Sequence, residues 1–146
     1  VNLKRSSFIL PAVALIAFAT MAPATLSARL TRQESSHADT FPVMSVDELI
    51  LMMAKKKPVT IIDVRHPDSY NEKITGALQI PYNEIESHLK DIPRNRPIVT
   101  YCACPSEATS GAAAKTLIKN GYKNVYALKG GWQSWIYAAG KTEQKK

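Results

Sequence analysis

The run IVTYCACPSEATSGA, from Ile98 to Ala112, constrains what this chain can fold into more than any other stretch of its 146 residues. A β-branched and aromatic strand leads into a short loop of small and turn-forming residues, and then into an alanine-rich helix beginning near Ser110. Both cysteines of the chain, Cys102 and Cys104, sit at that junction. A thiol there faces backbone N–H groups and the positive end of a helix macrodipole, and both favour its thiolate. An ordinary thiol of pKa about 8.5 is only about 3% ionised at pH 7. Lowering that pKa by about two units takes about 2.7 kcal/mol, which a helix N-terminus and a few loop N–H groups supply. A cysteine ending a strand also packs well as a small hydrophobe. A compact loop free of large apolar side chains, running directly into a helix, points instead to a nucleophile.

The flanking sequence alternates strands with helices. Ser45-Val46-Asp47-Glu48 has the form of a capping box, and Leu49, Ile50, Met53 and Ala54 extend it into a helix over about 46–56. Val59 to Val64 is a short, nearly continuous apolar run, which suits a buried parallel strand. Asn83 is placed to cap a helix through Ile85, Leu89 and Ile92. After the cysteine loop, Ala112 to Lys119 is helical and Gly121 stands where a left-handed cap belongs. Asn124 to Leu128 reads as a strand, Gly130-Gly131 as a turn, and Trp132 to Ala139 as a last short helix. The pattern predicts an α/β domain with a mainly parallel central sheet flanked by helices, its ligands lying beyond the carboxyl ends of the strands.

Lys4 and Arg5, followed by the apolar run Phe8 to Phe18 and a charge-free stretch as far as Arg29, have the layout of a signal peptide over residues 1–28. Ala22-Pro23-Ala24 offers a cleavage site, and Ala28 a second. An uncleaved membrane anchor over residues 6–28 is the alternative, with Pro11 and the small-residue end against it. Export to the periplasm or outside the cell is the expectation. A polar linker follows over 29–42, the folded domain is expected over 43–140, and residues 141–146 form a basic tail. Without Lys4 and Arg5 the net charge falls from +7 to +5. That surplus is scattered and has no interleaved aromatics, so nucleic acid is not expected as a partner, and a membrane only through the N-terminal segment.

Three motifs in order resemble the rhodanese-like domain family. Ile62-Asp63-Val64-Arg65, with Tyr70 and Ile74-Thr75-Gly76-Ala77-Leu78-Gln79-Ile80-Pro81, is similar to the family's opening signature. Leu128-Lys129-Gly130-Gly131-Trp132-Gln133-Ser134-Trp135 is similar to its closing one, and the cysteines lie between. The resemblance implies a three-layer domain and a sulfurtransferase that holds sulfane sulfur as a cysteine persulfide and passes it to a thiol or other nucleophile. Its implied partners are a small donor, thiosulfate or a low-molecular-weight persulfide, and a thiol or protein acceptor. No cofactor or metal is expected, and a monomer is. Alignment on the strand gives Cys102 as the nucleophile. Alignment on the helix, through the spacing to Gly121, gives Cys104 with the active-site loop Pro105, Ser106, Glu107, Ala108, Thr109 and Ser110. Cys104 is preferred because loop closure onto the helix decides where the N–H groups point.

Asp63 and Arg65 are expected as a supporting ion pair; His66 is read as a surface histidine first, with a supporting reach toward the loop as the alternative. The chain departs from the family pattern at Thr109, where many relatives carry arginine, and at Glu107, whose charge would raise a nearby thiol and repel dianions. Glu72-Lys73 replaces the usual Gly-His, one residue short, so that turn must be built differently. Phosphoryl or arsenate chemistry on the same fold lacks its arginine clamp here. A non-catalytic binding module, or a thiol-redox element using Cys102 and Cys104, is the alternative to a sulfurtransferase. If the strand stays extended through Ala103, the two thiols lie too far apart to bridge without a local turn.

Overall fold

The computed structural model describes residues 40–145; the leader-like segment 1–28 and nearly all of the linker lie outside them. Five strands form one sheet: β1 (Val43–Met44), β2 (Thr60–Asp63), β4 (Leu78–Gln79), β5 (Ile98–Tyr101) and β6 (Val125–Leu128). Their order is β1-β6-β5-β2-β4, and every pairing in the sheet is parallel. All four residues of β2 and of β5 are buried, as strands covered on both faces must be.

The helices cover those faces: α1 (Val46–Ala54), α2 (Ala108–Lys119) and α3 (Gly131–Tyr137). The alternation of strand side chains splits the core in two. Ile62 and Ile98 pack with Ala113, Ala114 and Leu117 of α2. Ile61 and Val99 face the other way, onto Leu49 of α1 and Trp135 of α3. The start of α1 is held by the predicted capping box: Ser45 Oγ accepts from Glu48 N–H at 3.2 Å and Glu48 Oε2 from Ser45 N–H at 2.9 Å. Gly121 follows α2 with φ +82°, the left-handed cap expected of it.

Two expectations are corrected. Residues 83–92 do not form one helix; they make two short 3₁₀ turns, Tyr82–Glu84 and Leu89–Asp91. Ile85 and Ile92 are buried all the same, because a spacing of three and four residues serves two tight turns as well as one helix. The basic tail 141–146 contains a strand, β7 (Thr142–Gln144), antiparallel to β3 (Glu72–Ile74). Lys73 Nζ reaches Glu143 at 3.1 Å and Gln144 Nε2 donates to Glu72 Oε1 at 2.9 Å. The shortened Glu72-Lys73 turn is thus built as an edge completed by the chain's end.

A polar knot lies at the carboxyl ends of β2 and β5. Asp63, fully buried, takes two side-chain bonds from Arg65, at 2.9 Å from Nε and 2.6 Å from Nη2, and a third from Tyr101 Oη at 2.5 Å. Tyr101 Oη in turn accepts from Ile74 N–H at 3.1 Å. The Arg65 guanidinium lies between the rings of Tyr70 and Trp132, 3.8 and 4.4 Å from their centroids. Removing one partner strands a buried charge. Arg65→Met is therefore expected to cost about 3–5 kcal/mol in urea unfolding, with Asp63 left unpaired.

Candidate active site at the end of β5

The strand ends at Tyr101, and the chain then bends at Ala103. That bend is set from across the sheet. Trp132 N–H donates to the Cys102 carbonyl at 2.8 Å, and a Cβ on Gly131 would fall 2.4 Å from the same oxygen, so only glycine lets the start of α3 approach this closely. The Cys104 carbonyl accepts from Glu107 N–H at 3.3 Å, closing the loop into a turn. Glu107 adopts φ +55° and its carbonyl accepts from Gly111 N–H at 2.6 Å and from Ser110 Oγ at 3.2 Å, which starts α2. Helix α2 thus begins at Ala108, two residues before its predicted start.

The two thiols differ in setting. Cys102 is 2% exposed, with Sγ 3.5 Å from Ser110 Oγ and 3.7 Å from the Cys104 carbonyl. Cys104 is half-buried, with Sγ 3.6 Å from Thr109 Oγ1. Its pKa is pulled below that of an ordinary thiol, first by the Thr109 hydroxyl and next by the Cys102 thiol, against the opposing effect of burial; the Thr109 and Cys104 backbone add to the pull. The bend at Ala103 supplies the local turn that an extended strand would lack, and it turns both sulfurs toward the start of α2.

Glu107 does not sit in the loop as a free charge. Its Oε1 accepts from Gly130 N–H, tying the cysteine loop to the turn before α3. The net direction of the Cys104 shift is downward with this carboxylate in the loop, opposite to the expected effect of Glu107. His66 lies apart from this assembly: its side chain is 70% exposed, and Nδ1 accepts from Asp68 N–H at 3.3 Å, capping the turn Pro67–Ser69. Asp63 and Arg65 stand under the site through Tyr101 and Trp132. The Tyr101 hydroxyl joins Asp63 to Ile74 at the end of β3, a link not singled out from sequence; a tyrosine closing an otherwise apolar buried strand is the signal for it.

The loop separates two clefts. One, of about 550 Å³, is lined by Arg65, Tyr70, Asn71, Ala103, Trp132 and Gln133 among others. The other, of about 450 Å³, is lined by Ser45, Pro105, Glu107, Lys129, Gly130 and Ser134 among others. Cys104 stands in the chain between Ala103 of the first wall and Pro105 of the second. A half-exposed, acidified thiol between two clefts is suited to attack an electrophilic sulfur carried in by a small molecule.

Comparison with known proteins agrees with this geometry. The chain is 38% identical to the uncharacterized protein YqhL of Bacillus subtilis (strain 168) over 87 residues, 59% of this chain but only 65% of YqhL, less than two thirds of its length. It is 32% identical to the thiosulfate sulfurtransferase GlpE of Coxiella burnetii (strain RSA 331 / Henzerling II) over 84 residues, 57% of this chain and 77% of that protein. The solution structure of the rhodanese-like domain from the Anabaena sp. Alr3790 protein superposes with a TM-score of 0.63 at 28% identity, covering 71% of this chain and 80% of that one. The Rhodanese-like domain family itself matches over residues 45–138. Because that match runs from the cap of α1 to the end of α3, and so takes in the sheet, the cysteine loop and the turn that bends it, the chain belongs to the rhodanese-like domain family.

Proposed function

We propose that this protein is a sulfurtransferase that carries sulfane sulfur as a persulfide on Cys104 and passes it to a thiol. The observation that carries the reading is the state of Cys104: half-exposed, acidified, and held where the loop turns into α2. The Cys104 thiolate attacks the outer sulfur of a donor R–S–SH; the S–S bond breaks, the donor leaves as its thiol, and the sulfur stays on Sγ as a persulfide. Thiolate of an acceptor then takes the outer sulfur and restores Cys104. The N–H groups at the start of α2 and the Thr109 hydroxyl support the negative charge at each stage.

The donor favoured is an organic or protein persulfide over thiosulfate. Thr109 stands where a cationic side chain would draw in a dianion, Arg65 is committed to Asp63, and the Glu107 charge lies in the wall of one cleft. The basic start and apolar run of residues 4–28 support an exported protein.

Cyanolysis of the reduced full chain, after incubation with glutathione persulfide or thiosulfate, tests the assignment. Thiocyanate release is expected, and Cys104→Ser should bring it to background with the circular dichroism unchanged. Loading retained in that variant moves the nucleophile to Cys102. Glu107→Gln keeps an oxygen for Gly130 N–H and removes the charge, so thiosulfate turnover should rise about tenfold relative to glutathione persulfide. Because the Thr109 hydroxyl is the foremost group lowering the Cys104 pKa, Thr109→Val should move the pH midpoint of Cys104 alkylation upward and slow alkylation at pH 7.

A further inference from the structure

We infer that Cys102 resolves the Cys104 persulfide, releasing its outer sulfur as hydrosulfide and leaving a Cys102–Cys104 disulfide, so that the protein is a dithiol-driven sulfide-releasing enzyme as well as a sulfur carrier. The inference rests on the persulfide reading above and concerns the fate of that sulfur.

Three features converge on it. The bend at Ala103 turns both thiols toward the first turn of α2, where Cys104 Sγ meets Thr109 Oγ1 at 3.6 Å and Cys102 Sγ meets the adjacent Ser110 Oγ at 3.5 Å. Cys102 Sγ also lies 3.7 Å from the Cys104 carbonyl, so the buried thiol is folded back over the residue whose sulfur it would attack. Third, burial separates the roles. Cys102 is closed off from any bulky donor at 2% exposure, whereas Cys104 is open to one. A buried thiol beside an accessible nucleophile meets only what its neighbour carries.

The step balances. Cys102 sulfur attacks Cys104 Sγ as the Cys104–sulfane bond breaks; the outer sulfur takes the bonding pair and the Cys102 proton and leaves as HS⁻. Sulfane sulfur is reduced by two electrons, and the two cysteine sulfurs are each oxidised by one as they join. An external dithiol, of the class that reduces protein disulfides, then opens the bridge by exchange and resets both thiols. Closing the bridge across one intervening residue is helped by a backbone that is already bent at Ala103.

The experiment is a single turnover. The full chain, reduced and freed of reductant, is mixed with one equivalent of glutathione persulfide; intact mass and free sulfide are followed with time. Wild type is expected to gain about 32 Da transiently, then settle about 2 Da below the reduced protein as about one equivalent of sulfide appears, at a rate independent of protein concentration. Cys102→Ala and Cys102→Ser are expected to stop at the heavier form and release no sulfide. A wild-type persulfide as lasting as that of the variants overturns the inference and leaves the sulfur-carrier reading standing. Loading in neither protein overturns both. Since the mass and sulfide of wild type alone decide the matter, a variant that failed to fold would not protect the inference.

Discussion

The structure around the cysteines depends on one close approach: the start of α3 against the backbone that leaves β5. The Trp132 N–H on the Cys102 carbonyl, with no side chain on Gly131 to hold the segments apart, ends the strand and bends the chain at Ala103. Everything chemical follows from that bend. Without it Cys102 and Cys104 would stay about 7 Å apart along one face of an extended strand. With it, both sulfurs meet hydroxyls on consecutive residues of α2.

Beneath the bend lies the charged knot of Asp63, Arg65 and Tyr101. A buried ion pair is weak support for stability in general, since desolvation opposes the attraction. Here the geometry answers that cost: Asp63 has three side-chain donors, and the guanidinium lies between two aromatic rings and also donates to the Glu72 carbonyl at 2.7 Å. The knot joins β2, β5, the β3 edge and α3 in one unit. Trp132 belongs both to it and to the bend, so the polar core and the cysteine loop share a support.

Electrostatics at the loop turn on where Glu107 points. Sequence position alone puts its charge beside the sulfur, but its carboxylate is turned onto Gly130 N–H, which makes it a tie between the loop and the β6–α3 turn. What remains near Cys104 is a set of donors: the Thr109 hydroxyl, the Cys102 thiol and backbone N–H groups. Such donors favour an anion on sulfur without adding a full positive charge, a setting matched to a persulfide more than to a dianionic donor.

Most of the fold was legible in the sequence because it is written in local terms. The capping box at Ser45, the unbroken apolar runs of β2 and β5 and the cap at Gly121 each depend on neighbours a few residues away, and three ordered motifs carried the family resemblance. The misreadings fell where local signals are degenerate or silent. Ile85, Leu89 and Ile92 fit one helix or two tight turns, and the polar Thr142–Gln144 shows no period of its own until β3 offers it partners. His66 sits beside Arg65 in the chain, yet it lies past the end of β2 and its exposed ring caps the turn Pro67–Ser69. The sequence by itself determined the alternating α/β architecture and the junction that bears both thiols. Only the tertiary structure decided that both thiols turn toward α2, that the Thr109 hydroxyl lies against Cys104 and that the Glu107 carboxylate is tied to Gly130, because those outcomes are set by a turn 30 residues further along the chain pressing on the end of β5.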